Sequence, residues 1–598
     1  MTHQATVTAP NQTGASTSQI AQWLTVERLA WLAIGFAAAA LRLAGLGSRT
    51  FDPAEAQQAV AALGAAGLPA VGTSPLLLSL QRVSFMLLQS NELLARIWPA
   101  LAGVALVLLA YQLRGELGRV GALGAAALLA VSPLLVFWSR SATGESFTLL
   151  AAMLLIVALS RARRCDPWVI WGAVGLALLV LSSPGGYSLL VLIAPMAVLA
   201  LMGRRSADES VRPDRSQWLT GLLVFVGLVA LGATAMFFNP VGFAAVADLP
   251  AAWLRGIVSA SGYSPFWLAA QVTLGEMLTL VAGIAGLVIG LRRRDWFAQA
   301  LGLWLLLGLA LLVLRSGRAP ADAALLVLPL ALLAGIAIEA FVARLSLSGE
   351  ATEAAVLLVA CLVVLGAAAI WLADYARSLD GTPSPVFLFS AAAALVVLLA
   401  ILLAYFVVFG SHVTWQVAVL VAAIALGLLT VRMTALTSFN HDPLRWGSVT
   451  NARGASDGPN LTAFLEQLAA QRGSDLRDLP VLLVAAPGSE PSPMVRWLMR
   501  DAATREAAGA AGAGPDDVLV SLADDPAPGG DDPAAPLVGR SFRIAEQWSP
   551  AGLSGSPLWK WLLYGRFDAL DSQQRAVVWL PAGQSESTSR KSSQIPYE

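Results

Sequence analysis

Residues 95–140 read ARIWPALAGVALVLLAYQLRGELGRVGALGAAALLAVSPLLVFWSR. Two long apolar blocks, at about 91–113 and 120–138, flank the short charged loop RGELGR. A helix of about 20 mostly apolar residues is long enough to cross the hydrocarbon core of a bilayer, which is about 30 Å thick. We therefore predict two neighbouring transmembrane helices joined by a short loop.

The rest of the chain repeats this pattern. Of its 598 residues, 57% are hydrophobic and 13% are charged, whereas soluble proteins average roughly 45–50% and about 25%. This composition excludes a soluble enzyme. It predicts a multi-pass α-helical membrane protein with about thirteen transmembrane helices, the others being expected at about 28–44, 146–160, 167–183, 185–202, 218–238, 276–291, 296–314, 323–341, 354–373, 387–409 and 414–432.

The arginines predict the orientation, because short cytoplasmic loops retain positive charge. The loops RGELGR, RARRCD, GRRSADESVRPDRS and RRRD all fall inside the cell if the N-terminus is cytoplasmic. We therefore predict a plasma-membrane protein whose C-terminal part, after an odd number of crossings, is extracytoplasmic. The net charge is zero, so no overall field favours nucleic acid as a partner.

Composition divides the chain into three parts. Residues 1–24 are polar and nearly uncharged, which predicts a disordered tail. Residues 25–434 form the predicted transmembrane domain, and residues 435–598 a small soluble α/β domain. In that domain we predict strands in LPVLLVAAP and DDVLVSLADDP, helices in NLTAFLEQLAAQR and MVRWLMRDA, mobile loops within 507–536, and a Trp-rich amphipathic helix in SPLWKWLLYGRFD.

Two predicted outer segments are too long to be simple connections. The loop at 45–90 contains PAEAQQAVAALGAAG and PLLLSLQRVSFMLLQ, which we interpret as helices lying in the membrane interface. The segment at 239–275 carries Trp253, Tyr263, Phe266 and Trp267. Such side chains are typical of anchors at headgroup level.

The sequence RTFDPAEAQQA follows the first predicted span. Asp52 can be the N-cap of a helix, with Pro53 as its first residue and Glu55 as its third, reaching back to the cap. This structural interpretation needs no catalytic role. The functional alternative is a pair of carboxylates one helical turn apart at the outer membrane surface, where helix N–H groups keep Asp52 ionised. Both can hold together.

Taken with the ARIWPA opening, the short basic loop and the SPLLVFWSR ending, this arrangement resembles the polyprenyl-phosphate-dependent GT-C glycosyltransferases. That group contains the protein O-mannosyltransferases and the lipid A aminoarabinose transferases. The resemblance covers roughly residues 28–345. The ending PLWKWLLYGR is similar to a subfamily described as flippase-activity-associated.

The resemblance implies an activity and a site. The activity is transfer of a sugar from a polyprenyl-phosphate carrier to a lipid, glycan or protein acceptor at the outer face of the membrane. Asp52 matches the acidic residue that the family keeps in its first outer loop as the presumed base. The family often has a second adjacent acid and then a His; here Pro53 replaces that acid and no His follows, so Glu55 is a possible stand-in.

Cations are needed to stabilise a departing phosphate, and arginine suits this role because its guanidinium binds phosphate through two parallel hydrogen bonds. The predicted substrate-binding residues at the outer ends of spans are Arg42, Arg140, Glu145, Arg315 and Arg318. Structural explanations are open for each of these arginines: Arg140 could pair with Glu145, and Arg315 and Arg318 could reach the headgroups. Arg42 lies inside a span, where charge is costly and usually functional; we expect it to pack against Asp52.

Three further expectations concern partners and cofactors. The histidines at 3, 412 and 441 are scattered, so we predict no metal site built by the protein and no cofactor; a requirement for a divalent cation is left open. The cysteines at 165 and 361 are far apart and predict no disulfide. The rival function is a non-catalytic partner of a glycan or lipid flippase, whose cavity binds a lipid-linked sugar without transferring it.

Overall fold

The computed structural model describes most of the chain. The described residues are 25–64, 73–164, 167–202, 213–238, 242–259, 263–345, 351–378, 384–439, 449–450, 452–455, 457–486, 490–508, 517–525, 537–547 and 572–581. The predicted N-terminal tail, the Trp-rich helix near the C-terminus and most of the predicted mobile loops within 507–536 lie outside them.

The described part of the transmembrane domain is helical. Its helices are α1 (Val26–Leu43), α2 (Pro53–Leu63), α3 (Pro75–Leu88), α4 (Glu92–Leu109), α5 (Arg114–Leu117), α6 (Arg119–Val131), α7 (Pro133–Ser139), α8 (Glu145–Arg163), α9 (Val169–Leu181), α10 (Ser188–Met202), α11 (Arg215–Ala233), α12 (Gly242–Val258), α13 (Pro265–Gly275), α14 (Met277–Arg292), α15 (Trp296–Leu314), α16 (Ala321–Val342), α17 (Ala351–Ser378), α18 (Pro385–Phe409) and α19 (Ser411–Phe439).

The predicted membrane class is confirmed. Among the described residues, nine helices are long and apolar enough to cross a membrane, and two bent helix pairs raise the number to eleven. The two other predicted spans correspond to α1, which carries three charged residues, and to α9, which has only 13 residues. All thirteen apolar blocks are therefore helical, but α1 is too charged and α9 too short to be counted among the helices able to cross a membrane.

The bundle is held together by close helix packing, which glycine permits. A Cβ on Gly286 of α14 would lie 1.8 Å from the carbonyl oxygen of Leu333 in α16, and one on Gly121 of α6 would lie 2.6 Å from that of Gly335. Small residues that let backbones approach are typical of helix interfaces in membranes. Helix α16 therefore lies at the centre of the bundle, with nearly its whole length buried.

The helix predicted over 120–138 is bent by 60° between α6 and α7. Pro133 has no N–H, so the carbonyl of Leu129, one turn earlier, loses its helical partner. The N–H of Leu134 donates to the Glu276 carboxylate at 3.2 Å instead of completing the helix, which also frees the carbonyl of Ala130. The helix is therefore interrupted at this point within the bundle.

A second bend corrects the prediction for 239–275. Helices α13 and α14 meet at 91° and together form one broken span or re-entrant segment. Trp267 of α13 is only 5% exposed and packs in the main helical core, whereas Phe266 is 82% exposed. The prediction of Trp267 as a headgroup anchor is wrong because this part of the segment enters the bundle.

In the described residues of the C-terminal region, the chain forms a six-stranded mixed sheet and two helices. The strands are β1 (Ala452–Gly454), β2 (Pro480–Ala485), β3 (Ala503–Ala508), β4 (Val518–Leu522), β5 (Leu537–Gln547) and β6 (Ser572–Pro581), in the order β1-β5-β6-β4-β2-β3. The helices are α20 (Gly458–Gln471) and α21 (Pro493–Leu498). Strands β2 and β4 and both helices confirm the sequence prediction; β1, β3, β5 and β6 were not predicted.

The sheet domain and the outer loop share one hydrophobic core. This core combines residues of α2 and α3 with Phe51 and with the inward faces of α20, α21 and the sheet. Trp497 of α21 lies at its centre, 2% exposed. The outer loop is therefore covered by the C-terminal domain.

Candidate active site

Asp52 caps α2 as predicted. Its Oδ1 accepts a hydrogen bond from the Glu55 N–H at 2.8 Å, and Glu55 Oε2 accepts one from the Asp52 N–H at 3.1 Å. Pro53 is the first helical residue, where its missing N–H costs nothing. The predicted capping box is confirmed. Within the described residues, no hydrogen bond reaches Asp52 Oδ2.

Glu55 lies at the centre of a buried ionic cluster. Arg96 binds it through Nε and Nη2, both at 2.8 Å, and Arg49 Nη2 lies 3.1 Å from Oε2. The Ala142 N–H adds a hydrogen bond at 2.8 Å. With the Asp52 N–H, the carboxylate accepts five hydrogen bonds while being fully buried. This engagement gives Glu55 a structural role.

Burial and neighbouring charges give the two carboxyl groups different pKa values. Burial and, next, the Glu55 carboxylate raise the pKa of Asp52 to about 6, against the lowering effects of Arg49, the Glu55 N–H and Arg96. Burial also acts to raise the pKa of Glu55, but the Arg96 and Arg49 guanidiniums outweigh it and lower the pKa to about 2. Asp52 can therefore exchange a proton near neutral pH, whereas Glu55 stays ionised.

The segment from Arg140 to Glu145 leads away from this cluster. Ala142 contacts Glu55, and Glu145 follows three residues later. Because consecutive Cα atoms are 3.8 Å apart, the Cα atoms of Ala142 and Glu145 are separated by at most about 11 Å. Thr143 and Ser146 each have a buried hydroxyl without a hydrogen-bond partner among the described residues.

A second polar cluster forms around Glu145. Ser183 donates a hydrogen bond to Glu145 Oε2 at 2.7 Å, and its oxygen lies 3.1 Å from that of Thr148. Glu145 and Thr148 face Asp322, at the start of α16, across a narrow open cleft. The cleft brings together carboxylates from two helices.

Arg315, which follows α15, lies beside Asp322. Its Nη1 lies 3.4 Å from both carboxylate oxygens of Asp322. Its Nε is buried and has no hydrogen-bond partner among the described residues. An adjoining small cleft is lined by Arg315, Asp322 and mostly apolar residues. A buried cation with an unused donor beside an apolar cleft suits the phosphate of a lipid.

The other three predicted arginines bind backbone carbonyls. Arg42 is fully buried and donates to Leu129 and Ala130, each at 3.0 Å, which replaces the helical bonds lost at the α6–α7 bend. We expected Arg42 to pack against Asp52; among the described residues its guanidinium instead donates to carbonyls of α1 and α6. Arg140 also does not pair with Glu145; its Nη1 donates to the carbonyls of α1 and the following turn, at 2.6 Å to Ala44.

Arg318 likewise donates to carbonyls. Its partners are Leu312 at 2.6 Å, Val313 at 2.9 Å and Tyr263 at 3.2 Å. All three nitrogen atoms of the guanidinium therefore bind carbonyls, two at the end of α15 and one in the segment before α13. Of the predicted arginines, only Arg315 combines a nearby carboxylate with an unused donor among the described residues.

Sequence reasoning missed several members of these clusters. Arg96 lies in the quoted ARIWPA motif, 41 residues after Glu55 in the chain, and no local spacing links the two. Asp322 follows Arg318 in the predicted outer end of a span, so its position could have suggested a carboxylate at the site. Among the described residues, no group of three or more His, Cys, Asp and Glu side chains could hold a metal ion.

Comparison with known proteins gives one family match. Residues 72–237 match the model of the family described as dolichyl-phosphate-mannose-protein mannosyltransferase. The match lies within the region that resembles GT-C glycosyltransferases, confirms that resemblance and supports a membrane glycosyltransferase. No curated protein matches the chain.

Solved structures give more distant similarities. ArnT from Cupriavidus metallidurans bound to undecaprenyl phosphate has 15% identity and a TM-score of 0.49, covering 85% of this chain and 94% of that one. The Archaeoglobus fulgidus oligosaccharyltransferase tethered with an acceptor peptide has 13% identity and a TM-score of 0.39, covering 81% and 64%.

Proposed function

We propose that this protein transfers a sugar from a polyprenyl-phosphate carrier to a lipid, glycan or protein acceptor at the outer face of the plasma membrane. The family match over residues 72–237 supports the reaction class. The observation that carries the proposal is that the short segment 140–145 connects two polar sites, the Asp52 cluster and the cluster of Glu145, Asp322 and Arg315. One holds a carboxylate able to exchange a proton, and the other holds an arginine with an unused donor.

Asp52 is the proposed base. Its Oδ1 is fixed by the helix cap, so the side chain is held in one orientation, and Oδ2 is left to accept a proton. A pKa near 6 is high enough for proton uptake and low enough for the group to be ionised at pH 7. Glu55 keeps its charge and holds the loop in place. It is not a second base.

The proposed reaction proceeds by displacement. The acceptor oxygen forms a bond to the anomeric carbon as the bond between that carbon and the phosphate oxygen breaks. The acceptor proton moves to Asp52 Oδ2, and the electron pair of the broken bond stays on the polyprenyl phosphate. Arg315, through Nε, stabilises the charge that develops on this phosphate. The apolar side chains beside Arg315 provide the surface against which the first part of the lipid chain would pack.

The test replaces Asp52 by Asn in the full-length protein. Asn also caps helices, so the fold should be retained, while loss of a general base typically costs 10²- to 10⁴-fold in rate. We expect release of undecaprenyl phosphate from an undecaprenyl-phosphate-linked sugar, measured in nanodiscs with acceptor present, to slow at least about 100-fold.

Asp214→Asn is the matched control, because Asp214 also caps a helix, at the opposite, predicted cytoplasmic side of the membrane. It should leave transfer unchanged. Equal transfer by Asp52→Asn and the wild type would refute the role of Asp52 and would favour the non-catalytic flippase partner. That rival draws support from the extensive structural engagement of the Asp52 loop.

A further inference from the structure

Phe51, the residue before Asp52, links the outer loop to the C-terminal domain. Its side chain is 2% exposed. The Trp497 ring lies on it with a centroid distance of 4.7 Å, and the Arg96 guanidinium lies 4.8 Å from the Phe51 ring centre. The same guanidinium binds Glu55, which in turn accepts the Asp52 N–H. A continuous series of contacts therefore runs from α21 to Asp52.

Trp497 is itself held firmly. Its indole N–H donates to Glu92 Oε1 at 2.9 Å, and Glu92 also lies 3.6 Å from Arg500. The Arg500 guanidinium lies 4.2 Å from the Trp497 ring centre, and Phe85 of α3 packs at 6.0 Å. Helix α21 is thus attached both to the start of α4 and to the outer loop. It cannot move without disturbing Phe51.

Strand β1 contacts the same loop through its backbone. A Cβ added to Gly454 would lie 2.0 Å from the Phe51 carbonyl oxygen and 2.7 Å from Thr50 Oγ1. No side chain fits there without displacing the loop. Gly454 of β1 and Trp497 of α21 are 43 residues apart in the chain, and both contact Phe51, the residue beside Asp52.

We infer that the C-terminal sheet domain is part of the catalytic apparatus, with Trp497 as a positioning residue that holds the Asp52 loop through Phe51. Trp497 is assigned no direct contact with substrate. It acts by fixing where Asp52 points, and small misplacements of a catalytic group can cost about 100-fold in rate. The kinetic part of this inference rests on the proposed function, whereas the effect on loop order does not.

The first measurement is amide hydrogen exchange of the full-length protein across residues 46–56. In Trp497→Ala we expect exchange in this segment to accelerate at least tenfold, because the ring that covers Phe51 is gone. The matched control is Trp579→Ala. Trp579 belongs to strand β6 of the same domain, and its indole N–H donates to Ser521 at 3.0 Å. It packs on the face of the sheet opposite to the core that contains Trp497. It should leave exchange in 46–56 unchanged.

The second measurement is the transfer rate. Trp497→Ala should lower kcat at least tenfold while KM for the lipid-linked sugar changes less than threefold, and Trp497→Phe, which keeps a ring against Phe51, should restore kcat to within threefold. If Trp497→Ala does not fold, Gly454→Ala replaces it and should accelerate exchange in the same segment.

The outcomes separate the two hypotheses. If the wild type transfers no sugar, the proposed function fails, and hydrogen exchange alone decides the inference. The inference is overturned if both Trp497→Ala and Gly454→Ala, where folded, leave exchange in 46–56 unchanged. It is also overturned if Trp579→Ala accelerates that exchange to the same extent, since the effect would then be a general loss of domain stability.

Discussion

Replacing Glu55 by Gln should be among the most destabilising single changes in the outer loop. The carboxylate is fully buried and accepts five hydrogen bonds, two of them from Arg96. Its removal leaves the Arg96 and Arg49 guanidiniums without their main counter-charge. Breaking a buried ion pair by removing one partner typically costs about 3–5 kcal/mol.

The lowered pKa of Glu55 points in the same direction, because the Arg96 and Arg49 guanidiniums stabilise the ionised carboxylate. A fall from 4.5 to about 2 is a stabilisation of the ionised form on the order of a few kcal/mol. Because the folded-state pKa is below the unfolded one, this contribution is complete above about pH 4.5 and is lost as the pH falls through about 2. The effect should therefore be fully visible at pH 7.

The assay is the free energy of unfolding of the purified protein in mixed micelles at pH 7. Glu55→Gln should lower it by about 3–5 kcal/mol. Glu27→Gln is the control, since Glu27 faces the mostly exposed Arg119 at 4.0 Å and should change it by less than about 1 kcal/mol. A loss below 1 kcal/mol for Glu55→Gln would refute the structural role assigned to this cluster.

Three further predictions follow from the site and the bundle. If Asp52 is the base, kcat/KM should fall about tenfold per pH unit below about pH 6, and a rate that is flat from pH 5 to 7 would contradict this role. Arg315→Gln should raise the Kd for undecaprenyl phosphate, measured in nanodiscs, at least about tenfold, while Arg292→Gln, on the opposite end of the bundle, should not. A Cβ at Gly144 would lie 2.3 Å from a backbone oxygen, whereas no atom lies within 4 Å of one at Gly227, inside α11; in thermal unfolding Gly144→Ala should be destabilised by about 1–3 kcal/mol, and Gly227→Ala should be unchanged or stabilised by up to about 1 kcal/mol.

Local sequence patterns predicted the parts of this fold that depend on neighbouring residues. The capping box at Asp52 could be identified because all of its atoms lie within four residues, and the apolar blocks because length alone decides whether a helix can span a bilayer. Pro133 could have indicated the bend at 132, since a proline inside an apolar block removes a helical hydrogen bond.

Contacts between distant residues were not predictable in the same way. Glu55 was interpreted as a possible base because its sequence position resembles an active-site acid, but Arg96 makes it a structural ion-pair partner. Glu276 is an exception. It is a lone carboxylate between two apolar helices, so the sequence alone indicated a buried polar contact, and the structure shows it fully buried and bound to Ser132 and Thr279. Strands β5 and β6 mix polar and apolar residues, so no clear alternation marked them.

The carbonyls bound by Arg42 have a consequence for how the protein enters the membrane. Arg42 and its acceptor at Ala130 are 88 residues apart, and a ribosome adds about 5–20 residues per second. The first helix therefore emerges roughly 4–18 s before the two α6 carbonyls that accept hydrogen bonds from its guanidinium exist. Until then the side chain must reach toward the lipid headgroups or stay beside the insertion machinery. Assembly of this bundle thus depends on the order of synthesis, with α1 waiting for α6.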